Sequence, residues 1–187
     1  SQINPHFLFN TLNNIYSLTA SKSPHAERAL LLLSDMLRYN LYDTGAGQIS
    51  VVKEVLFIEN YIELQRLRLT QKEDIHISFE KHCEGPTKHM PPMLLMPLVE
   101  NAFKHGISYQ KKSEIRVSLR LDADRLNFEV ENIKHRAQPA SDQDAPSGIG
   151  LENVKRRLML LAEDRHDLKV DDMDTRYRVK LSLDLAA

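Results

Sequence analysis

The sequence predicts an α+β fold in which helices come first and a mixed sheet, covered by helices on one face, follows. Three observations support this prediction. Apolar residues recur at helical spacing in three segments of the first 69 residues. From Ile75 onward, apolar and polar residues alternate, as they do in strands that bury one face. Two helical stretches, one after Pro92 and one opened by Gly148-Ile149-Gly150, are interspersed with these strands, an order that a two-layer domain explains.

The first two helical segments form a predicted hairpin. Leu8, Leu12 and Ile15 have helical spacing, and Pro24 starts a second helix that ends before Gly45. Two helices cannot bury two apolar faces alone. Pairing with a second copy into a four-helix bundle is the economical arrangement, so we expect a homodimer. The apolar stripe of the second helix consists of Ala29, Leu30, Leu33, Met36, Leu37 and Leu41.

The strands follow a third helix, which we predict over residues 51–69. Residues 75–79 alternate and form the first strand. We divide the chain into residues 1–70, the helices, and residues 71–187, the domain that contains the sheet. The remaining strands are predicted as two pairs, at residues 115–121 with 126–130 and at residues 168–170 with 177–185.

A long polar segment separates the last helix from the strand before it. Residues 133–147 contain Pro139, Pro146, several charges and almost nothing apolar beyond Ile133. Such a segment has too little apolar surface to pack against a core, so we predict a mobile loop.

The composition excludes several classes of protein. The formal net charge of −1 gives no global attraction to nucleic acid or to an acidic membrane. Cys83 is the single cysteine, which excludes an internal disulfide and suits a reducing cytosol. No apolar run approaches the roughly 18 residues of a membrane span, and no signal peptide opens the sequence. The chain starts inside a continuing motif, so we expect a fragment that lacks an upstream portion.

His6 stands in the segment Gln2-Ile3-Asn4-Pro5-His6-Phe7-Leu8-Phe9-Asn10. Either Asn4 caps a helix with Pro5 in its first turn, or Pro5 kinks a helix that arrives from upstream. A neutral imidazole, with an ordinary pKa of about 6.5, can attack a phosphoryl group and carry it as a phosphoramidate. Asn10 lies one turn further on the same face, where its amide could orient a water toward phosphorylated His6. The alternative is a buried structural histidine.

The helix after Pro92 carries four polar side chains on adjacent stripes. Asn101 shares one stripe with His105, and Glu100 shares the next with Lys104. The Asn101 oxygen suits Mg²⁺, which takes few protein ligands. Glu100 could polarise a water or the nucleophile, and Lys104 and His105 could meet phosphate oxygens. The alternative is a Glu100–Lys104 helix pair beside a solvated Asn101.

The segment from Gly148 to Leu158 has the features of a phosphate site. Glycines let backbone amides approach a ligand closely, and we include Ile149, Gly150 and Leu151 in the candidate site. The helix that begins there directs free N–H groups and its positive dipole end toward phosphates. A plain loop-to-helix corner is the alternative.

These motifs together resemble the LytS-type sensor histidine kinases. Residues 2–13 are similar to their phosphoacceptor motif, residues 98–106 to the asparagine box of the GHKL ATP-binding fold, and residues 148–158 to the second glycine box. The resemblance covers almost the whole chain. It implies a GHKL-type two-layer α/β sandwich preceded by a helical hairpin that dimerises.

The resemblance also implies roles for individual residues. His6 becomes the autophosphorylated residue, and Asn101 holds Mg²⁺ against the ATP phosphates with Glu100 in support. The loop over residues 133–147 becomes the ATP lid.

One segment departs from the family pattern. Where the family often has Asp-x-Gly-x-Gly, with its aspartate on the adenine amino group, this chain has Val130-Glu131-Asn132-Ile133-Lys134. Alternation places Asn132 on the inner face with Leu126 and Phe128, and turns Glu131 away. Because a neutral amide oxygen accepts a weaker hydrogen bond than a carboxylate, we predict ATP binding that is weaker or more tolerant of other bases.

The resemblance therefore implies a protein histidine kinase that transfers the γ-phosphoryl group of ATP to His6 and then to a response regulator of the LytTR type. It implies a cytoplasmic domain of an inner-membrane protein, with membrane contact only through the upstream portion and no direct nucleic acid binding. Two alternatives remain open. One is a GHKL ATPase in which Glu100 activates water and His6 is structural; the other is a dimeric scaffold that has lost nucleotide.

Overall fold

The computed structural model describes residues 5–43, 45, 47–69, 74–135, 149–162 and 164–186. Helices occupy the first part of the chain and alternate with strands in the second, as predicted. The α-helices are α1 (Pro5–Ala20), α2 (Ala26–Arg38), α3 (Val51–Leu69), α4 (Met96–Gly106) and α5 (Ile149–Leu161). A π-helix, Tyr39–Asp43, continues α2.

A five-stranded mixed sheet forms the second layer. The strands of the chain are β1 (Ile49–Ser50), β2 (Ile75–Cys83), β3 (His89–Met90), β4 (Ser113–Asp122), β5 (Arg125–Ile133), β6 (His166–Asp172) and β7 (Arg176–Asp184). The strand order of the sheet is β2-β4-β5-β7-β6, with β2 parallel to β4 and every other pair antiparallel. The two short strands β1 and β3 pair separately, a ladder that the sequence did not reveal.

The helices cover one face of this sheet. Helix α4 packs against β4 and β5, and α5 packs on α4. Ile115, Leu126 and Phe128 belong to the core between the layers, and all three are almost fully buried. The two-layer α+β prediction is therefore confirmed.

The uncovered face of the sheet is charged. Glu131 of β5 pairs across the strands with Arg116 on one side and Arg178 on the other. The Arg176 guanidinium lies 2.8 Å and that of Arg178 3.1 Å from the Glu131 carboxylate. This arrangement places Glu131 on the face opposite to the helices, as the alternation predicts.

Helix α2 buries a face that differs from the predicted stripe. Leu30 and Leu41 are 54% and 67% exposed, whereas Leu32, which the prediction omitted, is buried. The reason is that α2 packs on α3 of the same chain. Its contact face is centred on Ala29, Leu32, Leu33 and Met36.

Helix α3 connects the hairpin to the layers of the second part. Its Glu63 accepts two hydrogen bonds from Arg28 of α2, at 2.7 and 2.8 Å. Its Tyr61 ring meets Phe103 of α4 edge to face, with 5.3 Å between the centroids. The boundary at residue 70 stays a prediction, because residues 70–73 lie outside the described part of the chain.

The other predictions about elements have mixed outcomes. Helix α3 has the predicted bounds, while α4 begins at Met96 instead of Met93 because a turn precedes it. Of the lid loop predicted over residues 133–147, residues 136–147 lie outside the described part of the chain. None of the described helices combines the length and the apolar character that a bilayer crossing requires.

Candidate active site

Helix α4 carries the predicted polar residues on its exposed side. Its apolar residues turn toward the core, so the polar positions between them face outward. Glu100 and Asn101 are half-buried, and Lys104 and His105 are exposed. The structure thus brings all four to one side of one helix. The buried residues of α4 are Met96, Leu98, Val99, Ala102, Phe103 and Gly106.

Burial raises the pKa of Glu100 to about 7. The Tyr61 hydroxyl is near enough for the Glu100 charge to contribute, after burial, to the raised pKa of Tyr61. A carboxyl group with a pKa near the working pH can both take and return a proton, which is the property of an acid–base catalyst. Sequence reasoning selected Glu100 but gave no sign of this shift.

A cavity of about 540 Å³ lies between the helical hairpin and the α4–α5 pair, and Glu100 forms part of its wall. Leu8 of α1 and Asn40 of the π-helix line the hairpin side, while Asn153 and Arg156 line the α5 side. Leu8 lies in the first turns of α1, so the cavity extends from the start of α1 to Glu100 of α4. Its size is within the range of small-molecule sites.

His6 and Asn10 both belong to α1. His6 is in the first described turn, directly after Pro5, and Asn10 is exposed one turn later. Their spacing along the helix is therefore as predicted. The roles assigned to the two side chains stay predictions.

Asn132 occupies the inner face of β5, as predicted, and is only 1% exposed. Its side-chain amide donates a hydrogen bond to the Ile133 carbonyl at 2.9 Å, which turns the nitrogen toward the backbone. The Asn132 side chain packs against Gly106, which is the last residue of α4. Glu100 lies six residues before Gly106, so the two candidate residues are separated by roughly 9 Å along the helix.

A polar cluster that the sequence analysis missed supports this end of the site. His135 Nε2 lies 3.2 Å from the Ser113 hydroxyl and 3.2 Å from the Gly106 carbonyl. Ser113 Oγ also accepts a hydrogen bond from the Ser108 N–H at 2.8 Å. The cluster ties the end of β5 to the end of α4. One signal could have found it: Ser113 is two residues before Ile115 and therefore shares its inward face.

The first turn of α5 faces the start of α4. A Cβ added at Gly150 would lie 4.0 Å from the Pro97 carbonyl oxygen. Leu151 is half-buried and packs on the core, and Gly148 lies outside the described residues. The first N–H groups of a helix have no partner within the helix, so the start of α5 offers the kind of donors that an anion site requires. With the Asn101 amide and the Lys104 ammonium on the neighbouring helix, the donor set fits a magnesium nucleotide.

Sequence comparison places the chain among sensor kinases. A family model for histidine kinases matches residues 1–73. The sensor protein LytS of Staphylococcus haemolyticus is 32% identical over 171 residues, 85% of this chain and 29% of LytS. The sensor histidine kinase YpdA of Escherichia coli is 34% identical over 170 residues, 86% of this chain and 29% of YpdA. BtsS of the same organism is 29% identical over 185 residues, 98% of this chain and 32% of BtsS.

Solved structures share the fold. The histidine kinase AdeS of Acinetobacter baumannii has a TM-score of 0.52 at 14% identity, over 100% of this chain and 88% of that chain. The catalytic domain of the histidine kinase ThkA has a TM-score of 0.50 at 10% identity, over 74% of this chain and 94% of that domain. The fold is thus that of a histidine kinase catalytic region. The chain belongs to the family of LytS-, BtsS- and YpdA-like sensor histidine kinases and spans about a third of their length.

Proposed function

We propose that the chain transfers the γ-phosphoryl group of ATP to His6 and then to a response regulator of a two-component system. One observation carries this proposal: Glu100, with a pKa of about 7, lines a cavity whose wall also includes Leu8 of α1, the helix that contains His6. A proton acceptor and a helix with a candidate nucleophile therefore border the same space. The names of the relatives, all sensor proteins or sensor histidine kinases, support the same function.

The nucleotide would be held along α4. Asn101 would ligate Mg²⁺, Lys104 and His105 would meet phosphate oxygens, and Asn132 would accept a hydrogen bond from the base at the far end. The α5 start, formed by Gly148, Ile149, Gly150 and Leu151, would direct its N–H groups toward the phosphates. Bound Mg-ATP would supply the phosphoryl group.

The chain's own residues perform the rest of the transfer. A ring nitrogen of His6 forms the new N–P bond while the bond from the γ-phosphorus to the β-phosphate oxygen breaks, and ADP leaves. Glu100 takes the proton that the imidazole gives up. Asn10 orients the water that later hydrolyses the phosphoramidate when no acceptor is present.

A second copy of the chain completes the helical part. Leu8, Thr11 and Ile15 of α1 turn toward the rest of the chain, while Phe9, Leu12 and Tyr16 share an exposed apolar face. An exposed apolar face of this kind marks an interaction surface. We propose that the same face of a second α1 covers it, so that residues 1–70 dimerise and residues 71–187 bind nucleotide.

The parent protein and its partner are extensions of the same proposal. We assign the chain to the cytoplasmic part of an inner-membrane protein. Its phosphoryl acceptor would be a response regulator of the LytTR type, and it would make no direct contact with nucleic acid.

The decisive experiment is incubation with γ-labelled ATP and Mg²⁺. We expect label on the intact chain, stable to alkali and labile to acid, and none on His6→Gln or Asn101→Ala. Purine affinity should fall in Asn132→Ala. Equal labelling of the intact chain and His6→Gln would overturn the assignment of the phosphoacceptor.

Glu100 also favours a second candidate, a GHKL ATPase in which this carboxylate activates water. In that case, phosphate is released at the same rate by the intact chain and by His6→Gln, with no labelled protein. A nucleotide-free scaffold would instead show no thermal shift with ATP.

A further inference from the structure

The turn that precedes α4 has a strained residue at its centre. Met93 has φ of 56°, in the left-handed region that side chains larger than glycine rarely adopt. Met96 opens α4 three residues later, and Glu100 follows one turn into the helix. Such a conformation persists only where the surrounding structure holds it in place.

Glu54 of α3 holds this turn from one side. Its Oε2 accepts hydrogen bonds from the Met93 N–H at 2.9 Å and from the Tyr39 hydroxyl at 2.6 Å. Its Oε1 accepts one from the Leu95 N–H at 3.1 Å. The side chain is fully buried. Burial raises the pKa of Glu54, and the hydrogen bonds oppose that shift.

Arg157 of α5 holds the same turn from the other side. Its two guanidinium nitrogens donate to the carbonyls of Met93 and Pro92, each at 2.8 Å. The N–H and the C=O of Met93 are therefore both fixed by side chains from different helices. The hydrogen bonds from the Arg157 guanidinium are charge-assisted, and such bonds are stronger than those between neutral groups.

We propose that Glu54 and Arg157 are positioning residues that set the start of α4, and with it Glu100, relative to the phosphoacceptor helices. Glu54 and Arg157 together form a clamp on the turn at Met93. Tyr39, the first residue of the π-helix, connects this clamp to the end of α2. A shift of α2 against α3 would reach α4 through Glu54. The inference rests on the proposed kinase function and assigns no contact with substrate to either residue.

The clamp predicts a defect in phosphoryl transfer that exceeds any defect in nucleotide binding. A glutamine at position 54 would offer one acceptor oxygen to three donors. A lysine at position 157 would keep the charge but could not reproduce the two guanidinium hydrogen bonds to the Met93 and Pro92 carbonyls. We expect Glu54→Gln and Arg157→Lys to lower the single-turnover rate at saturating ATP by about tenfold, the equivalent of one lost hydrogen bond. Nucleotide affinity should stay within about twofold.

Two further variants separate positioning from general support of the fold. Tyr39→Phe removes only the hydroxyl donor. It keeps the ring, which stacks on the Phe57 ring with 4.4 Å between the centroids. The single-turnover rate of Tyr39→Phe should therefore fall less than that of Glu54→Gln. Met93→Gly adopts the left-handed conformation without strain, so it should restore part of the rate to Arg157→Lys. Lys155→Gln is the matched control, because Lys155 is exposed on the same helix and its ammonium pairs with Glu152.

Hydrogen exchange at the Met93 and Leu95 amides supplies a readout that does not depend on activity. Exchange should accelerate in Glu54→Gln and Arg157→Lys and stay unchanged in Lys155→Gln. Unchanged exchange and unchanged rate in both clamp variants would overturn the proposal. So would a parallel loss of rate and affinity that Met93→Gly does not restore. Wild-type chain that takes up no label would overturn the kinase function instead, and exchange would still decide whether the clamp exists.

Discussion

Asn132 lies directly against Gly106: a Cβ added at Gly106 would stand 2.7 Å from the Asn132 Cβ. This distance is far inside van der Waals contact, and the Asn132 Cβ is fixed to the backbone of a strand in the middle of the sheet. The contact brings the last residue of α4 onto the inner face of β5. It explains a glycine at this position by close packing, without any need for unusual backbone angles.

Gly106→Ala should therefore destabilise the fold. The new methyl group can be accommodated only if α4 moves away from β5, and overpacking of this kind costs about 1–3 kcal/mol. The free energy of unfolding, measured by urea denaturation, reports the loss. Gly45→Ala is the control, because a Cβ there meets nothing within 4 Å. Equal stability of the two variants would contradict the contact.

Substitutions at two neighbouring residues of β5 should differ in their effect on nucleotide binding. Glu131 faces the arginines of the open face, so Glu131→Gln should lower stability by about 1 kcal/mol or more while nucleotide affinity is unchanged. Asn132→Asp places a carboxylate against the Ile133 carbonyl and should also destabilise the free chain. It should nevertheless raise the preference for ATP over GTP, because a carboxylate accepts the adenine amino hydrogen bond more strongly. Competition binding with both nucleotides measures this preference.

Local sequence signals predicted most of the elements. The uninterrupted helical period of residues 51–69 gave the bounds of α3, and strict alternation placed Asn132 inward and Glu131 outward. These properties depend on neighbours within a few positions of the chain. The four polar residues of α4 were identified for the same reason.

Features that depend on distant parts of the chain were not predicted. Glu54 is an ordinary acidic residue in a helix until Met93 and Leu95, 39 and 41 residues away, come to donate to it. The buried face of α2 depends on where α3 lies, so Leu32 was omitted and Leu41 included. The left-handed Met93 has no local signature, since glycine is the residue that usually marks such a position.

The exposed face of α1 predicts a specific effect on assembly. Leu12→Glu places a charge at the centre of the face that Phe9 and Tyr16 share. We expect the dimer to dissociate at least about tenfold more readily, because a charge in an apolar interface must be desolvated without a partner. Sedimentation equilibrium measures the dissociation constant of the dimer.

Met159→Glu is the matched control for that experiment, since Met159 is also exposed and apolar but belongs to α5. It should leave the association constant unchanged. A wild-type chain that stays monomeric at high concentration, or equal effects of the two substitutions, would exclude the α1 face as the interface.

Glu100 predicts how stability depends on pH. Its pKa rises from 4.5 to about 7 through burial, so between these values the folded chain binds more protons than the unfolded chain. The contribution of Glu100 to stability is therefore complete below about pH 4.5 and is lost as the pH rises through about 7. Glu100→Gln stays neutral and should be more stable than wild type by about 1–3 kcal/mol at pH 8, and nearly equal at pH 4.5. Urea denaturation at both pH values tests this crossover, with exposed Glu80→Gln as the control. A constant difference at the two pH values would show that the Glu100 carboxyl titrates alike in the folded and unfolded chain.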